Sequence, residues 1–303
     1  MKQVCKGTRQ VKKKLAMMKV TNRGEAMIDR GAILTYQKQQ RVIFGNEDCL
    51  YIKPHPALQP YVSNYTLTFP TKTAISDHYT VIPHGCATMI FGIKGQELDS
   101  QLFGPATQAV RVGDQAAGFD QILIVEFQPA GLHAFLGFHQ HELTDQLFPL
   151  ELLHAKIQQG MRRLLEKAES MQELVMGVDQ LFLKAISKPS PSEVTGLTRS
   201  IVHHRGNISL KQLSKEAFYS ERHLTRLFNE YLGMSTKTFS RLVRINHTLR
   251  LLNDPSNGIT KIHEATGYYD VSQFNREFKQ ITGNTPQGYR QKMSDFYSEI
   301  AKF

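Results

Sequence analysis

SERHLTRLFNEYLGMSTKTF (residues 220–239) and DVSQFNREFKQITGNTPQGY (residues 270–289) are one phrase written twice, fifty positions apart. Ser220, Leu224, Arg226, Phe228, Gly233, Ser235 and Phe239 in the first copy correspond to Asp270, Phe274, Arg276, Phe278, Gly283, Thr285 and Tyr289 in the second. In each copy a small polar residue suited to an N-cap opens a stretch whose apolar residues recur at i, i+4. A glycine suited to a left-handed turn closes it. Each copy therefore predicts a short helix between cap and glycine. A further short apolar pattern precedes each: Ile208, Leu210 and Leu213 after the turn Arg205-Gly206-Asn207, and Ile259, Ile262 and Ala265 after Ser256-Asn257-Gly258. Helix, turn, helix is the order in which the second helix lies in a DNA major groove.

The helix starts are well marked. Ser209 with Gln212 and Asp270 with Gln273 fit the capping-box pattern, and Thr285-Pro286 places proline at the first helical position. Between the two units, Ser235 to Leu252 carries no Gly or Pro and is apolar at Phe239, Leu242, Val243, Leu249 and Leu252. A continuous helix of that length spans about 27 Å. It could hold two recognition helices near one DNA repeat apart, so that one chain enters two successive major-groove segments.

These residues resemble the AraC/XylS family of bacterial transcription regulators over Glu193 to Met293. The resemblance is carried by Leu213, the Ser220-x-x-x-Leu224-x-Arg226-Leu227-Phe228 run, Gly233-x-Ser235, Arg244 and Leu251-Leu252. Its most specific part is Gly267-Tyr268-x-Asp270-x-x-x-Phe274-x-x-x-Phe278, followed by Gly283-x-Thr285-Pro286-x-x-Tyr289-Arg290. The chain departs from the family pattern at Phe218, where a turn glycine is usual, and at His263 and Thr248, where alanines are. Carried over by position, the resemblance implies that Arg222, Thr225 and Arg226 of the first unit and Ser272, Gln273, Asn275 and Arg276 of the second face DNA. Arg can read guanine bidentately, Asn or Gln adenine, and hydroxyls either bases or phosphates. Competing uses exist: Gln273 can spend its amide capping its own helix, and Arg226 and Arg276 can hold phosphate alone. Leu224, Leu227, Phe228, Phe274 and Phe278 belong to the core on this reading.

Charge is partitioned along the 303 residues, whose formal net charge is +10. Residues 1–44 and 193–293 are basic and 45–192 acidic, as expected of a DNA-binding module joined to a domain with another task. Three scattered cysteines offer no disulfide framework and no finger-type metal site. The longest apolar runs are too short for a membrane span or a signal-peptide core, so the expected location is cytoplasmic.

The expected domains are a basic, disordered tail (1–44), a β-rich sensor and dimerisation domain with a helical C-terminal part (45–186), a Ser/Pro linker (187–192), the DNA-binding domain (193–293) and a tail (294–303). Strand-like runs fall at 50–52, 62–69, 78–82, 88–93, 98–103, 108–112 and 122–127, punctuated by Gly and Pro as in a barrel or sandwich, with a short helix around 132–136. Helical periodicity follows at 149–186, where Met171, Leu174, Val178, Leu181 and Ala185 form a narrow apolar seam for packing within the chain or against a second subunit. The fold class is thus α+β multidomain: an N-terminal cupin-like barrel or sandwich with appended helices, then an all-α double helix-turn-helix.

Val81-Ile82-Pro83-x-Gly85, Met89-Ile90-Phe91, Gly104 and Phe127-x-Pro129-x-Gly131 look like the sensor domain of one subgroup of these regulators. That likeness implies a small-molecule effector, with Tyr79, His84 and Glu126 as candidate ligand residues; Tyr65, His78 and His133 are further polar pointers. Glu126 alternates with Ile122 and Ile124, so it lines a cavity or faces outward. The expected partners are double-stranded promoter DNA, an effector, a second copy of the chain and, for an activator, RNA polymerase. No cofactor, metal or catalytic residue is expected. Two rivals stand beside this reading. One is a cupin-like metalloenzyme fused to a DNA-binding module, for which His139-Gln140-His141-Glu142 is poorly placed and better read as a solvated loop. The other is an architectural DNA binder without effector.

Overall fold

The computed structural model describes residues 28–70, 76–189, 191–293 and 296–297. Five of the seven strand-like runs, with two further strands, form one seven-stranded sheet. Its strands are β1 (Val42–Gly45), β2 (Cys49–Ile52), β3 (Val62–Thr68), β5 (Thr88–Lys94), β6 (Glu97–Phe103), β8 (Gln121–Phe127) and β9 (Leu147–Pro149). Their spatial order is β1-β2-β3-β8-β5-β6-β9, with antiparallel neighbours throughout. A small second sheet joins β4 (Thr80–Val81) to β7 (Val110–Arg111) and to β10 (Phe296–Tyr297).

The main sheet does not close, so the barrel half of the expectation is corrected to an open, sandwich-like layer. Helices cover it where further strands would close a barrel. α1 (Arg30–Tyr36), the short α2 (Gly113–Ala116) and α3 (His133–Leu136) lie among the strands in sequence, and α4 (Leu150–Lys167) and α5 (Met171–Ala185) follow them. Tyr65, Leu67, Met89, Phe91, Leu123, Val125 and Phe127 alternate along one sheet face and share a core with Ile157 and Met161 of α4 and Val175, Val178 and Phe182 of α5. The Phe182 ring meets Tyr65, Phe127 and Phe135 at centroid distances of 6.4, 6.4 and 5.4 Å. Gly160 lets the two helices approach, since a Cβ there would lie 2.5 Å from Leu181.

Several expectations change here. Order begins well before residue 45: Ile33 and Tyr36 of α1 are buried in the sheet core, and Asp29 caps that helix at Ala32 N. The basic residues 1–27 lie outside the described residues. The seam of α5 is consumed inside the chain, where Met171, Leu174 and Val178 are buried against the sheet layer, so it gives no support to a dimer. α4 is kinked at His154 (φ −152°, ψ 73°), whose Nδ1 accepts the Ile157 N–H and restarts the helix; Leu152, before the kink, is left 67% exposed. Tyr65 is a structural anchor: its hydroxyl donates to Asp179 of α5 (3.0 Å), which also accepts Arg41 (2.7 Å) and the His55 N–H (2.9 Å). Such a buried carboxylate is tolerable because each oxygen is satisfied.

The C-terminal helices are α6 (Ser192–His203), α7 (Leu210–Ala217), α8 (Glu221–Leu232), α9 (Thr236–Asn253), α10 (Ile259–Ala265), α11 (Val271–Thr282) and α12 (Pro286–Gln291). Leu213, Leu224, Phe228, Phe239, Leu242, Leu249, Ile262, Phe274, Phe278 and Tyr289 make one core. Ile82 and Ala130, from the β-rich part, are buried in that same core. Nor is the Ser/Pro segment a free tether: the Ser187 and Lys188 N–H groups both reach Ala134 O. Among the described residues no helix is long and apolar enough to cross a membrane.

Candidate nucleic-acid interface

α8 and α11 begin and end as their sequences dictate. The Ser220 hydroxyl accepts the His223 N–H, and Asp270 accepts the Gln273 N–H at 2.7 Å. Gly233 and Gly283, at φ 75° and 76°, end the two helices in the left-handed conformation. The preceding α7 has a complete capping box between Ser209 and Gln212. On α11 the box is shifted: the Gln273 side-chain oxygen accepts the Tyr269 N–H (3.3 Å) instead of that of the cap itself. Gln273 thus spends its carbonyl on its own helix.

Superposing the two caps in register pairs Arg222 with Ser272, Thr225 with Asn275, Arg226 with Arg276 and Asn229 with Lys279. The spacing i, i+3, i+4, i+7 puts each set on one helix face. Opposite them, Leu224 and Phe228 on α8 and Phe274 and Phe278 on α11 are buried. Arg222, Thr225, Arg226, Ser272 and Arg276 are exposed, and Gln273 and Asn275 are half-buried. On α8 the exposed set, with Ser220, His223 and Asn229, lines an open cleft of about 740 Å³. His223 and Asn229 were not singled out from sequence, although the spacing that placed Arg222 and Arg226 also places Asn229.

Arg226 donates to Glu230 (3.2 Å), one helical turn on, and lies 3.4 Å from His223 Nδ1. Its side chain is 61% exposed, so the pair is weak and a stronger acceptor can displace it. Thr225 returns its hydroxyl to Glu221 O, which reduces its availability to a ligand. Arg276 has no ion-pair partner among the described residues.

The second unit is fixed to the linker helix α9 through Glu277, which sequence reasoning missed. Its carboxylate accepts Arg241 (3.1 Å), Arg244 (3.0 Å) and the Tyr268 hydroxyl (2.9 Å), while Arg244 lies over the Tyr268 ring at 4.7 Å. Burial and the Glu277 charge push the Tyr268 pKa up, so its hydroxyl stays a donor.

The three candidate ligand residues separate. His84 and Glu126 are buried and meet each other, His84 Nε2 lying 3.3 Å from Glu126 Oε2, which also accepts the Thr88 hydroxyl (2.9 Å). Glu126 is therefore turned inward. Tyr79 sits apart, its carbonyl taking the Val112 and Gly113 N–H groups; burial pushes its hydroxyl pKa up to about 12. The turn that carries His84 touches the linker helix, with Asn246 Nδ2 donating to Pro83 O at 2.9 Å. At Gly85 (φ 71°) a Cβ would meet Leu242 at 3.0 Å and Phe239 at 3.3 Å.

His139-Gln140-His141-Glu142 is a domain contact in place of the expected solvated loop. Its histidines are exposed, but Gln140 is buried beside Gly233, and Thr144 donates to Gly233 O (2.8 Å). Ala109 N reaches Ile281 O (3.0 Å) at the end of α11. The C-terminal ends of both repeat helices are thus held by the β-rich part. Among the described residues no group of three or more His, Cys, Asp or Glu could hold a metal ion.

A family model described as a helix-turn-helix domain matches residues 213–292, and one described as a domain of unknown function (DUF6597) matches residues 51–149. An uncharacterized HTH-type transcriptional regulator of Staphylococcus aureus is 36% identical over 89 residues, covering 29% of this chain and 12% of that protein. The uncharacterized HTH-type transcriptional regulator YisR of Bacillus subtilis is 29% identical over 92 residues, covering 30% of this chain and 32% of its own length. The chain therefore spans a third or less of these curated relatives. Among solved structures, ToxT from Vibrio cholerae overlaps 80% of this chain and 97% of its own, at 13% identity and a TM-score of 0.41. A ToxT structure with bound unsaturated fatty acid overlaps at 12% identity and 0.38. The two helix-turn-helix units joined by α9 thus fall, apart from the start of α7, in the stretch of the chain, residues 213–292, that matches a helix-turn-helix domain.

Proposed function

We propose that the protein is a sequence-specific DNA-binding transcription regulator whose α8 and α11 enter successive major-groove segments. The observation that carries this reading is the register between the two helices. Arg226 and Arg276 occupy equivalent exposed positions, and each is backed by a buried aromatic pair or by leucine and phenylalanine on the opposite face. Arg222, Thr225, Ser272, Asn275 and Gln273 flank them as contacts to bases or phosphates, Gln273 after release of the Tyr269 N–H. A small-molecule effector is the further part of the reading. Its support is the path from the buried His84–Glu126 pair through Pro83 to Asn246 of the linker helix: a ligand that separated that pair would act on the helix joining the two units. Such a ligand changes DNA binding only by the difference in its own affinity for the two arrangements.

Footprinting of purified full-length protein on selected genomic fragments tests the proposal. Arg276→Ala is expected to cost about 1 to 3 kcal/mol on the preferred site and to relax selectivity at one position. Arg226→Ala should disturb a different segment, about one helical turn away. If both substitutions altered the same base pairs, the two-groove arrangement would be wrong; uniform loss on all sequences would reduce both arginines to phosphate contacts.

A further inference from the structure

Among the described residues the two most exposed large hydrophobic side chains are Phe218 and Tyr269, at 94% and 93%; the next, Leu152, is at 67%. Their positions are matched. Phe218 lies in the turn of the first helix-turn-helix unit, two residues before the Ser220 cap of α8, and Tyr269 in that of the second, one residue before the Asp270 cap of α11. Both belong to pairs of adjacent aromatic residues, Phe218-Tyr219 and Tyr268-Tyr269, of which one member packs and the other does not. Tyr219 leans on the C-terminal core and meets the His223 ring at 4.8 Å, while Tyr268 is buried in that core. The outward member differs between the units because the left-handed residue does: it is Phe218 (φ 57°) in the first turn and Gly267 (φ 73°), one place further from its cap, in the second.

Holding Phe218 outward has a cost. α7 ends with the Tyr219 N–H on Ser214 O (3.1 Å) and the Phe218 N–H on Lys215 O (3.4 Å), the paired bonds of a Schellman turn, whose left-handed position favours glycine. Arg205 takes the same position at the end of α6, at φ 52°, with the Gly206 N–H on Ile201 O and its own on Val202 O, both at 2.9 Å. A guanidinium in such a place is satisfied by water; a phenyl ring gains from a surface that covers it. The ends of α8 and α11 are also unequal. The β-rich part holds their C-terminal ends, through Thr144 to Gly233 O and the Ala109 N–H to Ile281 O. The two rings stand at the opposite, N-terminal ends, and in a helix-turn-helix it is the N-terminal residues of the second helix that meet the base edges. Phe218 comes four residues before Arg222 and Tyr269 three before Ser272, so both rings extend the polar faces of α8 and α11 at the end that meets the bases.

We propose that Phe218 and Tyr269 are specificity-determining residues that seat on thymine methyl groups in the major groove, one at the edge of each segment. The C5-methyl of thymine is the apolar feature that the major groove offers, and phenylalanine is among the side chains that take it. Arginine, asparagine and hydroxyl side chains read hydrogen-bonding edges and phosphates and leave that methyl group unread. The inference rests on the DNA reading of α8 and α11, and it adds to each segment a thymine that the arginines do not call for.

The preferred fragment recovered by footprinting is resynthesised with deoxyuridine in place of one thymidine at a time, which removes only the C5-methyl group, and is bound to the full-length protein. Covering one methyl group is worth about fourfold in affinity, so a loss of that size is expected at one thymine in each segment. Phe218→Gly, which gives the turn the residue it favours, should weaken binding to the unmodified fragment by about the same factor. It should also abolish the loss at the α8 thymine and keep that at the α11 thymine. Tyr269→Ala should do the converse. A wild type indifferent to every replacement, or variants that keep the wild-type pattern, would overturn the proposal. Affinity lost by the variants with no dependence on any thymine overturns it as well, and assigns the rings to the sugar edge or to a protein partner. A flat thymine scan beside relaxed selectivity in Arg276→Ala leaves the reading of α8 and α11 standing without this inference. Uniform binding to all sequences, by wild type and Arg276→Ala alike, removes both.

Discussion

Phe218 sits in the turn before α8 at φ 57°, ψ 34°, and its side chain is 94% exposed. Nothing in the burial of the ring offsets a left-handed backbone that costs a non-glycine residue about 1 to 2 kcal/mol. Phe218→Gly removes that strain, at the expense of a more flexible unfolded chain. A net gain in stability of about 0.5 to 1 kcal/mol is expected, read from the midpoint of denaturant unfolding. A loss would mean that the ring makes a contact in solution worth more than the strain. The sequence marks this residue, because the family pattern has glycine here. It does not mark Arg205, whose left-handed backbone follows from the Schellman geometry at the end of α6. The carboxylate of Glu277 was equally hidden: its two arginines and Tyr268 come from α9 and from the turn before α11, and only the fold brings them together.

At the scale of elements, local chemistry was legible wherever one element determines its own shape. Caps, closing glycines and i, i+4 apolar spacing placed α7 to α12 because each signal lies within a turn or two of the helix it defines. The long strands β3, β5, β6 and β8 were legible through composition and punctuation. β1 and β9 were missed because each is short and owes its existence to pairing, with β2 and β6 respectively. Sheet closure was not readable, since it depends on whether helices or strands cover a face. The Glu277 cluster allows a test of how far α11 depends on α9. Glu277→Gln leaves Arg241 and Arg244 sharing a neutral acceptor in a partly buried site. A loss of about 1 to 3 kcal/mol is expected, below the range for fully buried pairs. Amide exchange should show it concentrated in α10 to α12, and equal loss of protection in α7 and α8 would show that the second unit is not held separately.

Across the whole molecule, the β-rich part and the double helix-turn-helix share buried surface: Ile82 and Ala130 fill the C-terminal core, and α3 lays His133 against Tyr231 of α8 at a ring distance of 4.7 Å. A Ser/Pro segment read from sequence suggests separable domains; the fold instead docks the C-terminal end of α8 on the other part. That docking carries a pH dependence. Burial holds the His133 imidazole below its usual pKa of 6.5, with the Lys188 and His139 charges adding to the effect and the Glu230 charge and a hydrogen bond to the Lys188 backbone opposing it. The neutral ring is therefore the docked form. Above pH 6.5 the imidazole is neutral folded or unfolded, and it costs nothing; as pH falls below 6.5 the unfolded chain takes up the proton more readily than the folded one, and stability is lost until the folded pKa is passed. His154 and His247 are lowered too and act with the same sign. His133→Phe keeps an aromatic ring against Tyr231 and removes the proton. Thermal unfolding of the wild type between neutral pH and pH 5 should show a fall that the variant reduces without abolishing, since His154 and His247 remain. Tyr231 fluorescence cannot be isolated among eleven tyrosines, so histidine NMR should follow the His133 ring itself. An acid response identical in the two proteins would mean that His133 has no part in holding α8.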